Sequence, residues 1–471
     1  MKKISAAFLL ILSLVAVMAV AVSADTPIEI SSATELMSVD MDKSYKLMAD
    51  IDLTGVEFTP IGTAEAPFTG TFDGNSKKIS GLTFDTEGKY VGLFGACTDA
   101  TVKNLTVDAL DVNIEDSQLN EIFVSGICAY AVGNCTFENI EVNGSISVKG
   151  KGDVHAAGIC AYAECVGGPI SYFTSCINNA SITAKSTGTS SEVRAAGIVA
   201  YGLFADVILS ANHGGITVDA KCGAIAAGIS AAYGQRDIKK TYNTAKVSAT
   251  SETTGATAGG LVASSIYAII EDSYNSGDIH ADGGDVSTAG GICAESQFGN
   301  EYKRCYNAGA VTIDGDGYAG SLAGTASNRD SFSSNYVIES TAAVIAKNPK
   351  DGAATSLTQT QMKSADSFVG FDFDTVWYVP DSGDYLYPML RGFEVEEAEA
   401  VPGDLDADGS INSLDYIIAA RHIAAFVGYE DYVNVENCDL NLDGNVTSVD
   451  AVILARHIAD WTGYETIPLS E

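Results

Sequence analysis

The chain has 471 residues, and its 61 acidic and 26 basic side chains give a formal net charge of −35. So large a negative charge repels nucleic acid and anionic membrane surfaces, so we expect neither as a partner. Forty-seven glycines and only nine prolines favour repeated short strands over long helices.

Residues 1–24 have the pattern of a secretory signal peptide. Lys2 and Lys3 precede an apolar run from Ala6 to about Val20, and small residues ending at Ala24 supply a cleavage site. The mature chain would then begin at Asp25, be exported, and not insert into a membrane. An uncleaved membrane anchor is the alternative, since the run is near spanning length.

Residues 92–340 contain an internal repeat of four positions. The first is Gly, the second is Ile or Leu in most copies, the third varies, and the fourth is Ala or Gly. The copies are 29 to 39 residues apart. A period near 30 with short apolar patches predicts an all-β right-handed parallel β-helix, a solenoid of about eight rungs. Its glycines are Gly92, Gly126, Gly158, Gly197, Gly228, Gly260, Gly291 and Gly320.

An asparagine keeps pace with this repeat, and we interpret it as a structural ladder of stacked amides at a left-handed bend between strands. These residues are Asn104, Asn139, Asn178, Asn212, Asn243, Asn275, Asn307 and Asn335.

Cysteines and tyrosines also recur in phase. The ten cysteines are expected to be mostly small buried hydrophobic residues, with one or two disulfides left open. Two rows of tyrosines would either stack on sugar rings from outside or fill the coil as an internal stack. The rows are Tyr130, Tyr162 and Tyr201, and Tyr242, Tyr274 and Tyr306.

The segment before the repeats resembles bacterial surface and secreted proteins that carry GLUG-type repeats. The matching residues are Ser31–Leu36, Tyr45–Leu47, Asp50–Leu53, Pro60–Gly62 and Phe68–Gly74, and the repeat signature matches best at Gly92–Gly95. The resemblance implies that residues 25–91 cap a parallel β-helix, and it implies little chemistry. Residues 341–393 are predicted to close the β-helix, and residues 394–401 form an acidic linker.

Glycan-degrading enzymes use paired carboxylates, so we considered the carboxylates in the variable loops. Asp282 and Asp314 are predicted to stack in adjacent rungs. His155, His213 and His280 are expected at the surface or in turns, not as bases. The other candidate carboxylates, which we interpret as solvated, are Glu115, Asp116, Asp153, Glu192, Asp285 and Asp316.

Residues 402–471 contain two twelve-residue loops with oxygen-bearing side chains at positions 1, 3, 5 and 12 and Gly at position 6. This spacing suits a hard cation with six or more oxygen ligands. The predicted calcium ligands are Asp404, Asp406, Asp408, Ser410 and Asp415 in loop 1, and Asp439, Asn441, Asp443, Asn445 and Asp450 in loop 2.

Asp at position 12, one helix after each loop and a twofold repeat resemble the dockerin family. The resemblance implies a small all-α module that binds two Ca²⁺ ions and docks onto a cohesin module of a scaffold, as in cellulosomes. It places the partner-binding residues at positions 10 and 11 of each loop and on the following helices. They are Ser413, Leu414, Arg421 and His422 in the first half, and Ser448, Val449, Arg456 and His457 in the second.

The sequence therefore predicts a secreted, extracellular, cellulosome-type component that docks onto a cohesin and displays a β-helix that binds polysaccharide or a surface. The alternative is a β-helix glycoside hydrolase or lyase of the same complex. A structural spacer is the third interpretation.

Overall fold

The computed structural model describes residues 26–85, 88–116, 118–165, 168, 170–340, 342–380, 387–393, 402–405, 411–424, 435–459, 461, 463–464 and 466–468. The predicted signal peptide and the acidic linker lie outside the described residues. The chain divides into two compact units, and the division falls after Arg391. No helix of the described residues is long and apolar enough to cross a membrane.

The first unit is a parallel β-solenoid of about nine turns, one more than predicted from the repeat. Its strands pair in register from turn to turn, so each side chain lies over its equivalent in the turn before. One continuous core of Ile, Val, Leu, Ala and Phe fills the coil, because no single turn can bury its inner face alone.

Within the described residues, twenty-four strands form the larger sheet. They are Ile28–Ile30, Tyr45–Leu47, Ile51–Asp52, Thr71–Ser80, Thr83–Phe84, Thr101–Glu115, Thr136–Gly150, Ser171–Asn178, Ser181–Ser186, Ala205–Ile208, Ala211–Asn212, Ile216–Ala220, Asp237–Lys239, Tyr242–Asn243, Val247–Ser251, Ile269–Glu271, Tyr274–Asn275, Ile279–Gly283, Glu301–Lys303, Tyr306–Asn307, Val311–Asp314, Ser331–Ser333, Tyr336–Ile338 and Thr355–Leu357.

The second sheet has two arms that follow one another in each turn. The first arm comprises Tyr90–Val91, Glu121–Ser125, Asp153–Ala157, Val193–Ala196, Ala224–Ala227, Ala256–Gly259 and Ser287–Gly290. The second arm comprises Phe94–Thr98, Cys128–Val132, Cys160–Glu164, Val199–Leu203, Ser230–Gly234, Val262–Ile266 and Cys293–Gln297. The strand Gly317–Thr325 continues both arms, and Ala343–Lys347 pairs with it.

Short elements complete the described residues. In the first unit these are the helix Ala33–Leu36, the 3₁₀ turns Gln361–Lys363 and Ala365–Ser367, and the strands Trp377–Tyr378 and Met389–Leu390. The second unit contains the helices Ser413–Ile423, Val435–Cys438 and Ser448–Ile458.

Five of the eight predicted asparagines form one continuous buried ladder. In each turn from Asn178 to Asn307 the Nδ2 atom donates to the Oδ1 atom of the next asparagine at 2.7 Å, and all five side chains are fully buried. The stacked amides therefore satisfy one another inside the coil, which a buried polar group requires.

The remaining three asparagines are out of phase with this ladder. Asn139 Nδ2 still donates to Asn104 Oδ1 at 3.1 Å, so these two stack at the bend as predicted, and the prediction was wrong only for Asn335, which donates to backbone carbonyl oxygens. Asn104 and Asn139 occupy the left-handed bend itself, with φ of 53° at both, and Asn335 lies two residues before the position paired with Asn307. In the ladder turns the bend falls three residues earlier, at residues such as Ser175 and Asp272. Because the number of residues per turn varies, the sequence alone did not reveal this difference of three residues.

The cysteine prediction is confirmed. All ten cysteines are free, and nine of them are buried. Cys128 pairs in register with Cys160, as the repeat predicted.

Candidate functional site

The carboxylate at position 12 closes each loop of the second unit. Asp450 is buried, and it accepts hydrogen bonds from the backbone N–H groups of Leu440 at 2.9 Å and Thr447 at 2.8 Å. Asp415 is also buried and accepts from the same two loop positions, 2 and 9, at 2.7 and 2.8 Å. The aspartates at position 12 of the two halves are therefore equivalent in hydrogen bonding.

The other predicted ligands of loop 2 form one hydrogen-bonded turn. Asp439 accepts from the backbone N–H groups of Asp443 at 3.1 Å and Gly444 at 2.7 Å, and Asn441 donates its Nδ2 to Asp443 at 2.9 Å. The hydrogen bond from Asn441 holds the pKa of Asp443 below its ordinary value. Gly444 has φ of 82°, which explains the glycine at position 6.

The donor set fits calcium in its chemistry, because loop 2 offers carboxylate, amide and backbone oxygens. Its carboxylates do not converge, however: within the described residues, no group of three or more His, Cys, Asp and Glu side chains is arranged to hold a metal ion. Asp450 faces amide donors instead. Asp406, Asp408 and Ser410 of loop 1 lie outside the described residues, whereas Asp404 is buried.

An exposed apolar face follows loop 2. Val449 is 52% exposed and Val452 is 47% exposed, and with Ser448 and Arg456 they line a cavity of about 390 Å³. Val449 therefore does not belong to the core of the module. Ile417, the twofold equivalent of Val452, is also exposed. Ile417 and Val452 were not among the predicted partner residues, although both lie one helical turn after position 11.

The remaining predicted partner residues differ in their surroundings. Arg456 lies over the rings of Trp461 and Tyr464, and His457 Nδ1 is 2.7 Å from the Tyr464 carbonyl oxygen, so these two side chains hold the C-terminal tail. In the first half, Ser413 and Arg421 are exposed and His422 is partly exposed, while the side chain of Leu414 lies outside the described residues.

One tyrosine row of the solenoid is buried. Tyr242, Tyr274 and Tyr306 stack with ring centroids 4.8 and 4.9 Å apart, and Trp377 from the closing segment packs against the last two. The Tyr306 hydroxyl donates to the Pro388 carbonyl oxygen. The closing segment therefore covers this row, and it offers no surface to a ligand.

The other tyrosine row lies along the second sheet and is half-buried. Tyr162 stacks between Tyr130 and Tyr201, with centroids 5.5 and 4.5 Å away. His155 lies beneath, 5.5 Å from the Tyr162 ring. The prediction of His155 at the surface or in a turn was wrong, because it is buried on a strand that the repeat alone did not locate. Burial lowers its pKa to about 3, and the nearby Arg194 charge adds to the shift.

The candidate catalytic carboxylates have structural partners or lie in solvent. Asp282 pairs in register with Asp314, which confirms that they stack, and Asp314 is exposed. Asp153 accepts the N–H of Glu192 at 2.8 Å. Of the others, Glu115 pairs with Lys149 at 2.6 Å, Asp116 accepts the N–H groups of Gln118 and Leu119, and Asp285 and Asp316 are exposed.

These features define a β-solenoid protein with a C-terminal module built from two equivalent acidic loops and their helices. Residues 402–459 match the family model of the dockerin type I domain, so this module is a dockerin. Such domains bind calcium, occur in secreted cellulosome components and imply a cohesin partner.

Two further similarities concern larger parts of the chain. It is 31% identical over 156 residues to halomucin of Haloquadratum walsbyi, a match covering 29% of this chain and 2% of halomucin. It is also similar to the crystal structure of a candidate immunoglobulin A1 protease from Bacteroides ovatus, with 18% identity and a TM-score of 0.38. That match covers 78% of this chain and 93% of the other.

Proposed function

We propose that this protein is a secreted component of a cellulosome-type complex, that its dockerin binds two calcium ions and docks onto a cohesin, and that its β-solenoid binds polysaccharide. The dockerin at residues 402–459 is the observation that carries the proposal. The predicted signal peptide is consistent with delivery to such a complex.

The twofold repeat supports two equivalent docking faces. The exposed Val449 and Val452 mark one face, and the exposed Ile417 marks the other, to which the sequence repeat assigns Leu414. Exposed apolar side chains between polar neighbours are the composition expected of a docking surface. Changing one face should leave cohesin binding nearly intact, since the other half can present the same surface.

The test is a calcium-dependent pull-down on a panel of cohesin modules. Leu414→Glu and Val449→Glu should each retain binding, and the double variant should lose it. Val369→Glu is the matched control, because Val369 is an apolar side chain that is 75% exposed and lies in the first unit, outside the dockerin. Calcium-induced helical circular dichroism confirms folding of each variant. Failure of the unaltered protein to bind any cohesin would overturn the proposal.

The solenoid is proposed to bind without cutting, because hydrolysis needs two carboxylates in one cleft. Its exposed loop carboxylates are not enclosed, and burial raises a catalytic acid's pKa only where water is excluded. Incubation with a panel of polysaccharides should give retention without release of sugars. Product release that disappears in Asp282→Ala, Asp285→Ala, Asp314→Ala or Asp316→Ala would favour the enzyme instead.

A further inference from the structure

The two arms of the second sheet meet at an angle, so that side chains of one arm contact those of the other. The corner between the arms is lined with small residues, where Ala196, Ala227, Ala231 and Ala263 pack together and are fully buried. A Cβ atom added at Gly290 would lie 1.9 Å from the Cys293 carbonyl oxygen. Small residues at this corner let side chains further out on the two arms contact each other across it, as Phe123 contacts Tyr130 and Arg194 contacts Tyr201.

We call this feature the sheet groove and define it by two columns of side chains in register. The first arm contributes Phe123, His155, Arg194, Ile225, Thr257, Thr288 and Tyr318. The second arm contributes Tyr130, Tyr162, Tyr201, Ala232, Ser264, Glu295 and Thr325.

The two ends of the sheet groove differ in what they present. At the first end the rings cover one another, since Phe123 lies 5.7 Å from Tyr130 and Arg194 lies 5.5 Å from the Tyr201 ring. Stacked ring faces are not available to a ligand. The middle turns carry small side chains such as Ala232 and Ser264 on the second arm.

The last turns hold a cavity of about 280 Å³, at the small end of ligand pockets. Glu295, Gln297, Tyr318 and Lys347 are among its lining residues, and Lys347 Nζ lies 4.8 Å from the Tyr318 ring centroid. Burial raises the pKa of Glu295. A partly desolvated carboxylate, an amide, an ammonium and an aromatic ring thus converge on a space that fits a small polar ring.

We propose that the sheet groove binds an uncharged polysaccharide lying along the solenoid, with one sugar unit held by Glu295 and Tyr318. Sugar hydroxyls both donate and accept hydrogen bonds, which matches the carboxylate, amide and ammonium groups together. The net charge of −35 opposes an anionic chain. From the Tyr201 turn to the Glu295 turn is three steps, or roughly 14 Å at the usual strand spacing, so several units would contact the groove.

This inference rests on the proposed polysaccharide binding and names its site. The test is retention of the full mature protein on insoluble neutral glycans and on anionic glycans. Glu295→Gln should weaken retention on a neutral glycan about tenfold or more, because it removes a charged hydrogen-bond partner. Tyr318→Ala should weaken it roughly five-fold, because it removes the ring face. Asp314→Asn and Tyr267→Ala are matched controls outside the groove and should leave retention unchanged.

The outcomes separate the two proposals. Retention that both groove variants preserve would overturn the groove but leave polysaccharide binding in place. Retention on anionic glycans alone would overturn the choice of an uncharged ligand. If the unaltered protein is retained on no glycan, polysaccharide binding and the groove both fail, whereas cohesin docking is judged separately by the pull-down. Unchanged thermal unfolding of each variant shows that a loss is not due to misfolding.

Discussion

Replacing Asn275 by Ala should destabilise the solenoid strongly, because this side chain is an interior member of the buried amide ladder, with a ladder asparagine on each side. It accepts from Asn243 Nδ2 at 2.7 Å, and it donates to Asn307 Oδ1 at 2.7 Å and to the Gly277 carbonyl oxygen at 2.8 Å. The side chain is fully buried, so no water replaces these partners.

The magnitude follows from the groups left behind. In Asn275→Ala one N–H of Asn243 loses its acceptor, and two oxygens lose a donor, although Asn307 Oδ1 still accepts the Gly309 N–H at 3.3 Å. An unsatisfied buried polar group costs about 1–3 kcal/mol. Adding the small cavity, we expect a loss of roughly 3–5 kcal/mol in the free energy of unfolding.

The matched control is Asn139→Gly, because Gly tolerates the left-handed φ of 53° at this position and the variant removes only the amide. Asn139 also donates to an asparagine, Asn104 Oδ1 at 3.1 Å, but its side chain is exposed and water can replace the bond. We expect a loss below about 1 kcal/mol there. The assay is urea unfolding followed by the strand signal in circular dichroism, with calcium present. Equal losses in the two variants would refute the reasoning that burial gives the ladder its value.

Two further predictions concern calcium and pH. Chelation of calcium should abolish the helical circular-dichroism signal of Ser413–Ile423 and Ser448–Ile458 and leave the strand signal unchanged. Calorimetric titration should give two bound calcium ions. The tighter ion should be at loop 1, because loop 1 has four carboxylates and loop 2 has three. An unchanged helical signal would contradict the expected effect of chelation. His155 has a pKa lowered to about 3 in the folded state, so the unfolded chain takes up its proton first, and stability falls as the pH drops from about 6.5 toward 3. When the pH is lowered from 7 to 5, the free energy of unfolding measured in urea should fall by about 2 kcal/mol less in His155→Phe than in the unaltered protein. Equal falls in the two proteins would contradict the lowered pKa of His155.

Much of the architecture follows from local sequence. The glycine repeat determines the period of the solenoid, because each turn needs small residues where its two arms meet. The loops around Asp415 and Asp450 determine the dockerin, because a carboxylate at position 12 must reach back to the start of its own loop. Both patterns join residues that are close in sequence, or that recur at a nearly constant interval.

Phase and burial depended on tertiary structure. Judged by spacing alone, Asn104 and Asn139 belong to the same row as Asn178. The bend position and the ladder position are in fact three residues apart in each turn, and only the strand pairing shows which of the two positions an asparagine occupies. The row containing Tyr274 is buried because Trp377, about a hundred residues later, packs on it. Local sequence patterns do not predict a packing contact with so distant a segment.

The sheet groove is the clearest case of this division. Phe123 and Tyr130, or Glu295 and Tyr318, carry no motif, and their spacing does not distinguish them from other residues of the repeat. They face a common space only because the arms bend sharply at an Ala and Gly corner and successive turns stack in register. The sequence by itself determined the repeat and the docking module, whereas the surface available to a ligand was decided by which side chains the folded coil leaves uncovered.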